Sequence, residues 1–149
     1  MAVTTGQVSE SAARAARDLR VVFSRLRRRF KDAEGGHELT PSQVAVLSRL
    51  GKEGAASASD LAAAERVRPQ AVAPILLALE QRGLIRRRAD PGDGRRQLVS
   101  LTSAGRALFD DSRRAGEEWL ARALQEHYTE AERQTLITAI AMLERLPRA

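Results

Sequence analysis

Apolar side chains return at three- and four-residue steps through Ala12, Ala15, Leu19, Val22, Leu26 and Phe30, a period that lays one stripe along a helix and ends near Glu34 to Gly36. Residues 1–10 ahead of it are polar and read as a flexible tail. A second helix opens at Thr40, with Pro41 at its first position and Gln43 three residues past the cap, the spacing of a capping box. Val44, Leu47 and Leu50 face inward on it, and Gly51 and Gly54 close it. A short third helix starts at Ser57 or Ser59 and carries Leu61 and Ala62 to about Glu65. The fourth sets Val72, Ile75, Leu76 and Leu79 on one face and stops at Gly83, because glycine takes a left-handed conformation without a Cβ penalty. Arg66, Val67 and Arg68 make the tight link that turns these two helices into a helix-turn-helix.

After Gly83 the period drops to two. Leu84 and Ile85 open a strand, Asp90 to Gly94 supply turn chemistry, and Leu98, Val99 and Leu101 lie on the return strand. Thr102 caps a long helix whose stripe runs through Ala104, Leu108, Ala115, Trp119, Ala123 and Leu124 to about His127. Thr129 and Glu132 form a second capping box, and Leu136, Ile140 and Leu143 mark a last helix that ends before Pro147. The expected fold is mainly α with a small β-hairpin. Residues 37–102 form a winged helix-turn-helix, and residues 11–36 with 103–147 form a helical lobe. The helices of that lobe are amphipathic and have no other core to fill, so their simplest use is pairing with a second copy.

Charge sharpens this reading through its placement. The 149 residues carry 25 Lys+Arg against 19 Asp+Glu, a formal net charge of +6, which favours an acidic partner. Eight basic residues between Arg14 and Lys31 face the single acid Asp18, and six arginines between Arg82 and Arg96 face Asp90 and Asp93. From Leu108 to Leu146, by contrast, acids outnumber arginines by eight to five, so the cationic field belongs to the first two thirds of the chain. The basic first helix would also suit an anionic bilayer surface, but its alanine-rich stripe is only weakly lipophilic. With no cysteine there is no disulfide and no thiol sensor. No apolar signal core or membrane-length run is seen, so the expectation is a soluble cytoplasmic protein without a membrane partner.

The arginine-loaded hairpin is the strongest chemical signal. Like charges crowded on a solvent-facing ribbon repel, and phosphates would relieve them. A helix followed by such a ribbon can reach two grooves of a duplex. Asp93, two residues before Arg95, is placed to hold that guanidinium extended toward a minor groove, while Arg88 and Arg96 take phosphates. At the start of the fourth helix Arg68, Pro69, Gln70, Ala71, Ala73 and Pro74 would meet the major groove, Gln70 suiting adenine and Arg68 guanine or a phosphate. Pro74 lacks the N–H that should bond the Gln70 carbonyl, which predicts a distorted first turn or a later helix start. Ser42 and Ser59 complete the expected DNA-contacting set.

Other chemistries fail. Gly51-Lys52 lacks the rest of a phosphate loop, His37-Glu38 has no second histidine at the right step, and Gly92-Asp93-Gly94 precedes no helix. Two histidines without cysteine make no transition-metal site, and His37 and His127 read as a loop residue and a helix-end residue. Trp119 and Tyr128 read as dimer core. No enzyme activity, cofactor or metal is expected.

Leu39-Thr40-Pro41-Ser42-Gln43, Ser59-Asp60-Leu61-Ala62, the run from Glu80 to Ile85, and above all Asp90-Pro91-Gly92-Asp93-Gly94-Arg95-Arg96 followed by Val99-Ser100-Leu101-Thr102 resemble the multiple-antibiotic-resistance regulator (MarR) family over almost the whole chain. The resemblance implies a homodimeric repressor that grips an inverted repeat of double-stranded DNA, with Asp93 and Arg95 as the wing pair and the fourth helix in the major groove. It also implies release by a small aromatic or phenolic ligand. Pro69, Pro74 and the alanines depart from the family's small hydroxyl residues in that helix. The alternative reading is a winged-helix module whose arginine face binds an acidic protein.

Overall fold

The computed structural model describes residues 7–35 and 38–147; His37 and most of the expected tail lie outside them. Elements run α1 (Glu10–Glu34), α2 (Pro41–Glu53), β1 (Ala56–Ser57), α3 (Ala58–Ala64), α4 (Pro69–Gln81), β2 (Ile85–Ala89), β3 (Gln97–Leu101), α5 (Ser103–His127) and α6 (Glu130–Leu143). The chain divides into two compact units, residues 36–114 and residues 1–35 with 115–149.

In the unit of residues 36–114, one apolar cluster joins Val46, Leu47 and Leu50 of α2, Leu61 and Ala62 of α3 and Val72, Leu76 and Leu79 of α4 to Leu84, Ile85, Val99 and Phe109. Burial of this kind stabilises by roughly 1.5–3 kcal/mol per large side chain. Both sides of the Thr40 capping box form: its hydroxyl accepts the Gln43 N–H at 3.3 Å, and Gln43 Oε1 accepts the Thr40 N–H at 3.1 Å. Gly83, at φ +71°, ends α4 as expected, and the Leu84 N–H closes back onto the Leu79 carbonyl at 3.0 Å. The sheet has one strand more than the hairpin expected. Its order is β1-β3-β2, all antiparallel, with Ala56 opposite Val99 and Ser57 opposite Leu98. Two residues are too few to show a period.

The stripe of α5 read off the sequence is half-buried from Leu108 to Leu124 and departs at its start. Ala104 is exposed, whereas Gly105 and Phe109 are buried. The ring of Phe109 lies where a Cβ on Gly51 would stand, within 2.5 Å, so a bare backbone at Gly51 admits the ring. A Cβ on Gly105 would fall 2.0 Å from the Leu84 carbonyl oxygen, so this helix approaches the β2 side of the core closely only because it lacks one. Thr102 caps α5, accepting the Gly105 N–H at 3.1 Å.

In the other unit α1 starts at Glu10, capped by Ser9, which accepts the Ala12 N–H at 3.2 Å; the helix therefore reaches into the segment expected as tail. Phe30 and Trp119 meet edge to face, 5.7 Å between centroids, so the tryptophan packs within its own chain. Yet no residue of α1 or α6 is buried. Leu19, Val21, Val22, Phe23, Tyr128, Leu136, Ile137, Ile140, Met142 and Leu143 are all exposed.

Candidate nucleic-acid interface

The helix-turn-helix is built from α3 and α4. Ser57 caps α3 by accepting the Asp60 N–H at 3.1 Å. The helix closes with Arg66 at φ +55°, a left-handed conformation that side chains with a Cβ seldom adopt, and the Val67 N–H bonds the Ala62 carbonyl at 3.0 Å. Arg68 stands at the N-cap of α4 without a side-chain cap, and Pro69 takes the first helical position. The helix runs from Pro69 through Pro74, so the late start does not occur, but its first turn is tightened, the Ala71 N–H bonding the Arg68 carbonyl three residues back at 2.9 Å. Both Pro74 and Gln70 are exposed, so the proline lies on the solvent-facing side of the helix.

Every residue expected at the DNA is exposed: Ser42 and Ser59 in the first turns of α2 and α3, Arg68 to Ala71, Ala73 and Pro74 on α4, and Arg88, Asp93, Arg95 and Arg96 on the ribbon. Alternation along β2 sorts its three arginines. Arg87 turns inward, and its Nε donates to Glu80 of α4 at 2.8 Å. Arg86 and Arg88 point to the other side and are exposed. Among the described residues neither they nor Arg95 nor Arg68 meets an acid, whereas Arg82 lies 3.7 Å from Glu38.

The wing tip is folded by its aspartates acting on backbone. Asp90 Oδ1 accepts the Gly92 N–H at 2.8 Å and Asp93 Oδ1 the Arg95 N–H at 3.1 Å, while the Asp90 N–H bonds the Arg96 carbonyl at 2.9 Å. Asp93 thus fixes the backbone of Arg95; the expected hold on its guanidinium is not present. Arg96 is engaged elsewhere. Its Nη2 donates to Ser57 Oγ and to Asp60 Oδ2, each at 2.9 Å, and ties the wing to the first turn of α3. Hydrogen bonding from Ser57, and then the Arg96 charge, hold the Asp60 carboxyl below its ordinary 3.8. Sequence reasoning missed Asp60 in this part, although Ser57 and Asp60 stand at cap spacing, a signal that was available. It also missed Arg86. Among the described residues no acid or histidine group could hold a metal ion, and no helix is long and apolar enough to cross a membrane.

The MarR family's sequence pattern matches residues 39–96, from the approach to α2 to the wing. Over 115 residues the chain is 37% identical to the HTH-type transcriptional regulator MT0903.1 of Mycobacterium tuberculosis, spanning 77% of this chain and 80% of that one. The HTH-type transcriptional repressor MdtR of Bacillus subtilis is 30% identical over 106 residues, 71% of this chain and 68% of that protein. A crystal structure of a protein from Pseudomonas aeruginosa PA01, described as a transcriptional regulator, matches with a TM-score of 0.79 at 37% identity, over 93% of this chain and 97% of the other. A winged helix-turn-helix with this ribbon, shared at such identity and coverage with transcriptional regulators, places the chain in the MarR family of transcriptional regulators.

Proposed function

We propose that the protein is a homodimer that binds an inverted-repeat site in double-stranded DNA and represses transcription from it. One observation carries the reading: Arg86, Arg88 and Arg95 stand exposed on and beside a rigid ribbon with no acid to meet among the described residues. An exposed cluster of one sign is costly unless an anion relieves it, and a ribbon that follows a helix-turn-helix suits a duplex better than a flat acidic protein. The bare apolar faces of α1 and α6 support the pairing of two chains, because exposed apolar area of this extent on a soluble protein marks an interface. Two copies would set their α4 helices in successive major-groove faces, about 34 Å apart. The MdtR name supports repression as the sign of control.

The test is selection from a random duplex pool, followed by anisotropy titration at several salt concentrations. Six free ribbon arginines in a pair of chains imply a slope of log K against log salt of about −5. A flat salt response, or capture of acidic proteins with no duplex enriched, would overturn the reading. Family likeness further supports release by a small aromatic acid or phenol. Benzoate or phenol added to the complex should then lower the anisotropy, and a signal unmoved by millimolar amounts of either would remove that part.

A further inference from the structure

The outward face of α4 is apolar where hydrogen-bonding side chains would be expected. Val72, Leu76 and Leu79 are wholly buried and fix the inner face. Half a turn away, at three- and four-residue steps, lie Gln70, Pro74, Leu77 and Gln81, all exposed, with Ala73 beside them. Leu77 keeps 51% of its surface in water. Glu80, the one acid near this stripe, stands off it and is tied to Arg87. The stripe therefore carries no charge, and only its two glutamines can hydrogen-bond.

In a major groove such a face has one apolar mark to find. Each base pair shows a distinct edge there, and the thymine C5-methyl is the apolar feature among donors and acceptors. A glutamine pairs in bidentate fashion with adenine, the partner base of that methyl. We infer that Leu77, with Pro74 and Ala73, reads thymine methyl groups while Gln70 binds adenine, so that the half-site under α4 is built of A·T pairs. From Gln70 to Leu77 the helix advances roughly 10 Å, which corresponds to about three base pairs. The ribbon arginines supply phosphate contacts, so the apolar stripe has only to specify. The inference rests on the DNA-binding reading above.

Uracil in place of thymine removes the methyl and nothing else. The experiment takes the duplex enriched from the random pool, replaces each thymine singly, and titrates the full-length parent and Leu77→Ala by anisotropy. For the parent, one or two substitutions in each half-site should weaken binding roughly fourfold, the worth of one buried methyl group. Leu77→Ala should bind thymine and uracil duplexes alike, and it should stay folded with a melting temperature only a few degrees below the parent's, because about half of the side chain is in water. At the same position a pair of guanine with 5-methylcytosine should bind the parent more tightly than the pair of guanine with cytosine, which lacks only the methyl, and Leu77→Ala should bind the two alike. The inference is overturned if every uracil duplex binds the parent like its thymine counterpart, if Leu77→Ala keeps the thymine preference, or if Leu77→Ala alters the oligomeric state. A half-site of G·C pairs would overturn it while leaving DNA binding intact. Failure to enrich any duplex would overturn both readings.

Discussion

Arg95 and Arg96 are neighbours in sequence with different surroundings. Arg95 is held by its backbone to Asp93 and offers its guanidinium to solvent, whereas Arg96 spends its own on Ser57 and Asp60. Arg95→Ala should weaken duplex binding by about 1–3 kcal/mol and leave the unfolding midpoint unchanged, as measured by anisotropy beside a urea melt. Binding equal to the parent's would take the wing out of the mechanism. For Asp60 the expected signature is in acid. Its carboxyl is held below 3.8, so the stabilisation it provides is present above that pH and is lost as pH falls through the lower folded value. The gap in urea midpoint between the parent and Asp60→Asn should therefore close as pH is taken below 3.8. A gap independent of pH would mean that the carboxylate charge contributes nothing.

At the scale of elements, the contact of α5 with α2 rests on one buried ring. Phe109 is 9% exposed and seated on Gly51, so Phe109→Ala should cost about 3–5 kcal/mol in urea unfolding. A loss below 1 kcal/mol would show that the site collapses around the void. This contact also marks where the sequence stops being legible. Thr40, Pro41 and Gln43 announce α2, and Gly83 announces the end of α4, because caps and left-handed glycines act within one turn of chain. The stripe of α5 held from Leu108 to Leu124 but took in Ala104 and missed Phe109, because period alone ranks alanine with phenylalanine, and the glycines that admit the ring and the Leu84 carbonyl have no hydropathy signal. β1 was invisible for a related reason: two residues become a strand only through β3, some forty positions on. In the candidate site, residue type revealed the wing arginines. It could not tell which of them the fold had already used, since the Arg96 to Asp60 pairing spans 36 positions.

For the whole molecule, the exposed residues of α6 should decide assembly. Ile137 and Ile140 are 58% and 56% exposed in the single chain. A double change of both to glutamate should convert a dimer in sedimentation equilibrium into a monomer, with duplex affinity falling along with it. A monomeric parent, or a variant that still pairs, would place the interface elsewhere. The lack of any buried residue in α1 and α6 has a further consequence for dosage. If these helices gain a core only from a second copy, mass action would stabilise them with the logarithm of the ratio of the protein's abundance to its pairing constant. Below that constant, and while few sites are filled, occupancy of a promoter would rise with the square of the number of chains in the cell, so that halving synthesis would cut occupancy to a quarter of its former value.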